Sequence, residues 1–227
     1  MVTDRNHKNF KLRISMPRIL PGETDLYALT DSRLALGRSA VEQAIALLGA
    51  GIRILQYREK HAKPGVMLQQ CKILRRLTQE AGACFIVNDH IDIAMLVDAD
   101  GVHVGQDDLP VEEVRQLIGP KKIIGLSTHC PEQALAAAAA GADYIGVGPI
   151  FATQTKEDVC APVGFSYLDW AAEHSPLPFV AIGGIKEHNI AEVAAHGAAC
   201  CALVSEFVGA YNIADKVTAV RKAMHPA

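Results

Sequence analysis

The sequence predicts an α/β protein of one domain, a (β/α)8 TIM barrel. Eight short, β-branched apolar runs alternate with longer Ala- and Leu-rich stretches of helical period along its 227 residues. The runs are apolar at nearly every position, as in a parallel sheet that is buried on both faces. Gly before several of them suits a helix end that turns into the next strand.

Strands and helices are predicted in strict alternation. The strands are 25–30, 52–56, 84–87, 101–104, 122–126, 144–147, 179–182 and 201–204. The helices are 39–50, 65–81, 92–97, 111–118, 131–140, 166–174, 187–196 and 215–223. Residues 1–24 are predicted to be an N-terminal extension whose short helix closes the barrel floor, and residues 25–227 the barrel. A doubly wound sheet is the alternative, disfavoured because no Gly-x-Gly-x-x-Gly follows the first strand.

Composition excludes some partners. The formal net charge of −3 offers no basic excess for nucleic acid or a membrane surface. The six cysteines form no Cys-x-x-Cys pair, and the leader lacks the apolar core of a signal peptide. We therefore expect reduced thiols in a cytoplasmic protein.

Polar residues follow the strands at the carboxyl ends, where TIM barrels carry their chemistry. The second strand ends in Gln56-Tyr57-Arg58-Glu59-Lys60. Alternation places Gln56, Arg58 and Lys60 on one side, where two cations and an amide suit a diphosphate. The alternative is a solvated strand end with a local ion pair to Glu59.

Carboxylates follow the third and fourth strands, in Asn88-Asp89 and in Gly105-Gln106-Asp107-Asp108. Mg²⁺ commonly takes one or two protein carboxylates and completes its shell with phosphate and water, so the two strand ends can share one ion. Helix capping is the alternative for each aspartate. His90 and His103 are interpreted as a first-turn helix residue and a packed strand residue rather than as metal ligands.

The remaining strand ends also suit anions. Ser127 ends the fifth strand and either binds substrate or caps the next helix. Thr153-Gln154-Thr155-Lys156 lies in the loop after the sixth strand and is interpreted as an anion-binding or closing loop. Gly183-Gly184 and Ser205 follow the seventh and eighth strands, where barrels commonly bind phosphate.

Taken in order, these segments resemble the thiamine phosphate synthase family from about Leu26 to the last helix. The segments are Tyr27–Asp31, Gln56–Lys60, Val87–Asp89, Gly101–Asp108, Gly125–Ser127, Thr153–Lys156, Ala181–Ile185 and Val204-Ser205.

The resemblance implies an enzyme that joins 4-amino-2-methyl-5-hydroxymethylpyrimidine diphosphate to 4-methyl-5-(2-phosphoethyl)thiazole, giving thiamine phosphate and pyrophosphate with Mg²⁺ as cofactor. It implies that Asp89 and Asp108 hold Mg²⁺, and that Arg58, Lys60, Ser127 and Lys156 are catalytic. The implied pyrimidine diphosphate residues are Gln56, Tyr57, Arg58, Glu59, Lys60, Asn88, Ser127 and Lys156. The implied thiazole phosphate residues are Thr153, Gln154, Thr155, Gly183, Gly184, Val204 and Ser205.

Two alternatives share the scaffold, a thiazole tautomerase and a non-catalytic phosphate-ligand-binding barrel. Tautomerases tend to lose the glutamine of the second strand and the Gly-x-His-x-Gly-Gln-x-Asp segment, whereas Gln56, His103 and Asp108 are present. A Schiff-base aldolase requires a buried strand lysine, but Lys60 and Lys156 follow strand ends. Glu157, Asp158 and Glu206 depart from the family pattern and would weaken phosphate binding if they faced it. The sequence leaves open whether the chain is a homo-oligomer.

Overall fold

The structure is a computed structural model that describes residues 18–153, 155 and 160–226. Eight parallel strands close into a barrel in chain order, and β8 pairs with β1. The strands are β1 Leu26–Leu29, β2 Ile54–Tyr57, β3 Cys84–Asn88, β4 Gly101–Val104, β5 Ile123–Thr128, β6 Tyr144–Val147, β7 Phe179–Ala181 and β8 Cys201–Leu203. The predicted TIM barrel is therefore confirmed.

Helices follow the strands around the outside of the barrel. They are α1 Ala40–Gly49, α2 Pro64–Ala81, α3 Ile91–Leu96, α4 Val111–Ile118, α5 Pro131–Ala139, α6 Gly164–His174, α7 Ile190–Ala195, α8 Ser205–Val208 and α9 Ile213–Met224. All eight predicted helices are present, α4 with the predicted bounds and the other seven with shifted ends. The short helix α8 was not predicted because four residues are too few to show a helical period.

The largest shift is at α7, predicted from residue 187 but beginning at Ile190. The side-chain Oδ1 of Asn189 accepts a hydrogen bond from the backbone N–H of Lys186, at 2.7 Å. A turn over residues 186–189 therefore replaces the first predicted helical turn.

Strand alternation divides the core into two layers. Outward residues such as Leu55, Phe85 and Val102 pack against the helices. Inward residues fill the barrel itself, among them Tyr27, Ile54, Cys84, Ile86, Ile123, Tyr144, Val180 and Cys200.

The described part of the N-terminal extension contributes to this inner layer. Ile19 is 4% exposed and packs with the inward cluster, and burying such a side chain contributes about 1.5–3 kcal/mol. Residues 21–25 form turns and bends, so the predicted short helix does not occur within residues 18–24, and residues 1–17 lie outside the described residues. The boundary between extension and barrel stays a prediction.

All six cysteines are free thiols, as predicted, and four of them are buried. Across the described helices, none is both long enough and apolar enough to cross a membrane.

Candidate active site

The barrel mouth collects the polar residues that end the strands. Gln56, Arg58, Asn88 and Ser127 are each 5% exposed or less. Gln56 contacts Tyr27 of β1 inside the barrel, and Arg58 contacts the residues that follow β1. The placement of Gln56, Arg58 and Lys60 on one side of the second strand stays a prediction.

Arg58 is held by the end of the first strand. Its Nη1 donates to Asp31 Oδ2 at 2.6 Å, and its backbone N–H donates to Thr30 Oγ1 at 3.1 Å. Asp31 is itself fixed, because its Oδ1 accepts from two backbone N–H groups and its own N–H donates to Gln43 Oε1. Sequence reasoning missed Asp31 as a site residue, although an acid that directly follows the predicted first strand, 25–30, was the available signal.

Lys60 pairs with the carboxylate predicted to bind metal. Its Nζ donates to Asp89 Oδ2 at 2.5 Å. Asp89 has a backbone φ of 58°, which is uncommon for a residue other than glycine, and His90 is the N-cap of α3 without a side-chain capping bond. The carboxylate of Asp89 therefore points to Lys60 rather than capping a helix, and His90 precedes the first turn instead of lying in it.

The second predicted metal ligand closes a turn at the end of β4. Asp108 Oδ2 accepts the backbone N–H of Gly105 at 2.7 Å, and a Cβ on Gly105 would lie only 3.1 Å from that oxygen. Pro110, not an aspartate, is the N-cap of α4. Gln106 Nε2 donates to the carbonyl of Ser127 at 2.7 Å and so ties this turn to β5.

Two residues of the second-strand segment do not present their side chains to the mouth. Tyr57 belongs to the outer layer, where its hydroxyl donates to Gln70 of α2 at 2.6 Å. Glu59 is buried and accepts the backbone N–H groups of His61 and Ala62. Burial opposes its ionisation, but these bonds and the Ser32 hydroxyl still hold the pKa of Glu59 below its ordinary value. Tyr57 fills the sheet–helix layer, and Glu59 shapes the loop and makes no ion pair with Arg58 or Lys60 among the described residues.

Ser127 lies inside the barrel. Its Oγ is 2.9 Å from His103 Nε2, and Cys130 rather than Ser127 is the N-cap of α5. His103 is a buried strand residue, as interpreted from the sequence.

The loop after β6 crosses to the opposite side of the barrel. The carbonyl of Thr155 accepts from Arg58 Nη2 at 3.3 Å, and Thr155 also bonds to Thr153 Oγ1. Gln154, Lys156, Glu157 and Asp158 lie outside the described residues. Thr155 thus lies beside Arg58, which follows β2.

Gly183 and Gly184 let two loops pack closely. Their φ angles are 90° and 68°. A Cβ on Gly183 would lie 2.3 Å from Pro149, and one on Gly184 would lie 2.7 Å from Phe151. Glycine is therefore required where the β6 and β7 loops meet, a reason that the sequence did not reveal.

A lysine missed by sequence reasoning accompanies Ser205. Lys186 Nζ lies 3.1 Å from Ser205 Oγ and 3.3 Å from Glu206 Oε2. Lys216 approaches the other Glu206 oxygen at 3.5 Å. Glu206 is therefore neutralised by two cations rather than presented alone to an anion. Val204, which precedes Ser205, is the N-cap of α8. A basic residue two positions after Gly-Gly was the available signal.

Comparison with known proteins agrees with this arrangement. The family model for thiamine monophosphate synthase matches residues 26–207. A thiamine-phosphate synthase of Lawsonia intracellularis is 60% identical over 212 residues, which covers 92% of this chain and 98% of that protein. One of Pelotomaculum thermopropionicum is 58% identical over 88% of this chain and 91% of that protein. A solved thiamine phosphate pyrophosphorylase from Pyrococcus furiosus superposes with a TM-score of 0.80 at 38% identity, covering 88% of this chain and 95% of that one.

The buried pair of Arg58 and Asp31 yields a stability prediction. Both side chains are 5% exposed or less, so Asp31→Ala leaves a buried, uncompensated guanidinium. We expect the free energy of unfolding in urea to fall by about 3–5 kcal/mol. Arg76→Ala removes one partner of an exposed pair with Glu80 and is the control, with an expected loss within about 0.5 kcal/mol. An Asp31→Ala loss as small as that of the control contradicts the prediction.

Proposed function

The chain belongs to the thiamine monophosphate synthase family, and we propose that it condenses 4-amino-2-methyl-5-hydroxymethylpyrimidine diphosphate with 4-methyl-5-(2-phosphoethyl)thiazole. The products are thiamine phosphate and pyrophosphate, so the enzyme transfers a pyrimidinylmethyl group. Similarity along the full length of synthases that bear this name carries the proposal. The paired cations at the barrel mouth support it, because both substrates are anionic.

We assign the pyrimidine diphosphate to a diphosphate cluster, defined as Arg58, Lys60, Asn88, Asp89, Asp108 and Ser127. Arg58 Nε is buried without an acceptor among the described residues, and an incoming oxyanion would give it one. Arg38 and Arg75 share that feature, so the assignment depends on the position of Arg58 at the end of β2. Gln56 contributes from inside the barrel, and Lys156 by family resemblance.

The diphosphate cluster fits Mg²⁺. Asp89 already holds a cation, the ammonium of Lys60, and Asp108 offers a second carboxylate at the neighbouring strand end. Within residues 18–153, 155 and 160–226, no three acidic, histidine or cysteine side chains group around one point. Two carboxylates plus phosphate and water are a typical Mg²⁺ shell. Bound there, Mg²⁺ would neutralise charge on the diphosphate.

The reaction requires a leaving group to be stabilised and water to be excluded. The bond between the pyrimidine methylene carbon and the diphosphate oxygen breaks, and its electron pair leaves with pyrophosphate. Arg58 and Lys60 neutralise that charge, and Ser127 donates a hydrogen bond to it. The resulting pyrimidinylmethyl cation is attacked by the lone pair of the thiazole nitrogen. Thr155, whose carbonyl accepts from Arg58, would help to limit the access of water to the cation.

We assign the thiazole phosphate to a monophosphate cluster, defined as Thr153, Gly184, Lys186 and Ser205. Lys186 and Ser205 present an ammonium and a hydroxyl 3.1 Å apart, which suits a phosphate oxygen between them. Thr155, Gln154, Gly183 and Val204 are assigned to the same substrate by family resemblance. Glu206 can remain paired with Lys216 when Lys186 turns to the phosphate.

We infer that the protein is cytoplasmic, because none of its six cysteines forms a disulfide. Its ligands are the two small phosphorylated substrates, and a net charge of −3 offers nothing to nucleic acid or an anionic membrane.

The proposed reaction is tested directly by supplying both substrates and Mg²⁺ to the purified protein. We expect thiamine phosphate and pyrophosphate in equal amounts, measured by chromatography and by a pyrophosphate-coupled assay. Omitting the thiazole phosphate is the control for hydrolysis of the diphosphate alone. Absence of product while both substrates bind overturns the proposed function.

The metal assignment predicts that Asp89→Asn and Asp108→Asn each raise the Mg²⁺ concentration needed for half-maximal activity. We expect at least about a tenfold increase, since even outer-sphere partners of metal ligands cost about 10–100-fold when removed. Asp107→Asn is the matched control, an exposed neighbour that is not assigned to the metal. Unchanged Mg²⁺ dependence in both assigned variants refutes the metal site.

The monophosphate cluster predicts a substrate-specific effect of Lys186→Gln. Hydrogen bonds to charged groups contribute about 1.5–3 kcal/mol, so the KM for the thiazole phosphate should rise about tenfold or more. The KM for the pyrimidine diphosphate should stay unchanged. Lys122→Gln removes a lysine paired with Asp98 and serves as the control. Equal rises in both KM values would mean that Lys186 acts on the fold rather than on one phosphate.

A further inference from the structure

A chain of four buried hydrogen bonds crosses the barrel interior and ends at Ser127. Gln56 Nε2 donates to the Tyr27 hydroxyl at 2.7 Å, and that hydroxyl lies 2.9 Å from the hydroxyl of Tyr144. The Tyr144 hydroxyl lies 2.9 Å from His103 Nδ1, and His103 Nε2 lies 2.9 Å from Ser127 Oγ. We call these five residues, contributed by β2, β1, β6, β4 and β5, the interior relay.

The barrel is built to hold the interior relay. A Cβ on Gly125 of β5 would lie 2.2 Å from the Tyr144 ring and 2.5 Å from His103 Nδ1. Gly125 therefore provides the space that the two rings occupy.

The number of protons on each group determines which partner donates and which accepts in each hydrogen bond of the relay. Burial raises the pKa of Tyr27 and of Tyr144, so both phenols keep their protons. The amide nitrogen of Gln56 can only donate, so Tyr27 accepts a hydrogen bond from it. Among the described residues, the Tyr144 oxygen is then the one acceptor for the Tyr27 hydroxyl, so Tyr27 donates a hydrogen bond to Tyr144. Tyr144 in turn donates a hydrogen bond to His103 Nδ1.

The same counting continues to Ser127. A neutral imidazole has one N–H, so an Nδ1 that accepts from Tyr144 places the proton of His103 on Nε2. Nε2–H donates to Ser127 Oγ, and the hydroxyl proton of Ser127 is left to point elsewhere. If the hydrogen bonds ran in the opposite direction, the Ser127 hydroxyl would donate to His103 Nε2 and could not donate to a ligand.

We propose that the interior relay makes Ser127 a hydrogen-bond donor towards the departing diphosphate, with His103 as a positioning residue held in its Nε2–H form. The inference rests on the proposed function for the identity of the ligand. It requires no proton transfer, since every proton stays on its own atom. An oxyanion needs donors rather than lone pairs around it, so the sense of the relay decides whether Ser127 helps or opposes the reaction.

The tautomer of His103 tests the relay without any measurement of activity. A long-range ¹H–¹⁵N spectrum of the full, ligand-free chain reports which ring nitrogen carries the proton, and His103→Gln identifies the signals by their loss. We expect a bare Nδ1 and a protonated Nε2. A proton on Nδ1, or on both nitrogens, overturns the relay while leaving the proposed function standing.

Tyr144→Phe tests whether the relay matters to the reaction. It removes the donor to Nδ1, so His103 should no longer show a single Nε2–H form. We expect kcat to fall about tenfold, less than the about 10²–10³-fold loss for removal of a whole oxyanion donor, here by Ser127→Ala. The KM for the pyrimidine diphosphate should change less than about twofold, since an interaction made only in the transition state affects kcat.

Tyr167→Phe is the matched control. Its hydroxyl lies 2.7 Å from Thr128 Oγ1, the residue next to Ser127, but in the outer layer of the core. This variant loses a buried phenol hydroxyl as well, yet it should keep both the His103 tautomer and kcat. A wild-type kcat in Tyr144→Phe, or equal losses in the two variants, overturns the catalytic part of the inference.

Discussion

A polar side chain that points into a closed barrel has no water to bind and must find a partner in the protein. This constraint governs the site. Gln56, Tyr27, Tyr144, His103 and Ser127 satisfy one another in sequence. Because each group has few donors and acceptors, satisfying all of them fixes the direction of the hydrogen bonds as well as their existence. The orientation of the Gln56 amide on β2 therefore determines the direction in which the Ser127 hydroxyl on β5 donates.

The same constraint applies to charge at the mouth. Arg58, Lys60 and Lys186 are paired with Asp31, Asp89 and Glu206 respectively. Unpaired cations so close to the barrel interior would repel one another and resist desolvation. The pairings differ in burial, since Arg58 is 4% exposed whereas the side chains of Lys60 and Lys186 are 45% and 39% exposed. Lys60 and Lys186 can therefore exchange a carboxylate for a phosphate more readily than Arg58 can.

Three glycines, Gly125, Gly183 and Gly184, allow the close packing on which the site depends. Gly183 and Gly184 have positive φ and lie against Pro149 and Phe151, so the loops after β6 and β7 pack closely against each other. Gly125 makes room for the rings of His103 and Tyr144. In each place a missing Cβ allows two elements to approach, and the site is the consequence of that approach.

The sequence alone determined the order of strands and helices and the gathering of polar residues at strand ends. It also predicted that Gln56, Arg58 and Lys60 lie on one side of the second strand. These features follow from periods of two and 3.6 residues, which are local. The structure placed Tyr57 in the outer layer, although family resemblance had grouped it with the substrate. Only the tertiary structure decided that Asp31 holds Arg58, that Lys186 joins Ser205, and that His103 connects Tyr144 to Ser127. Each of those contacts joins residues of different strands or loops, so which residues meet depends on how the barrel closes.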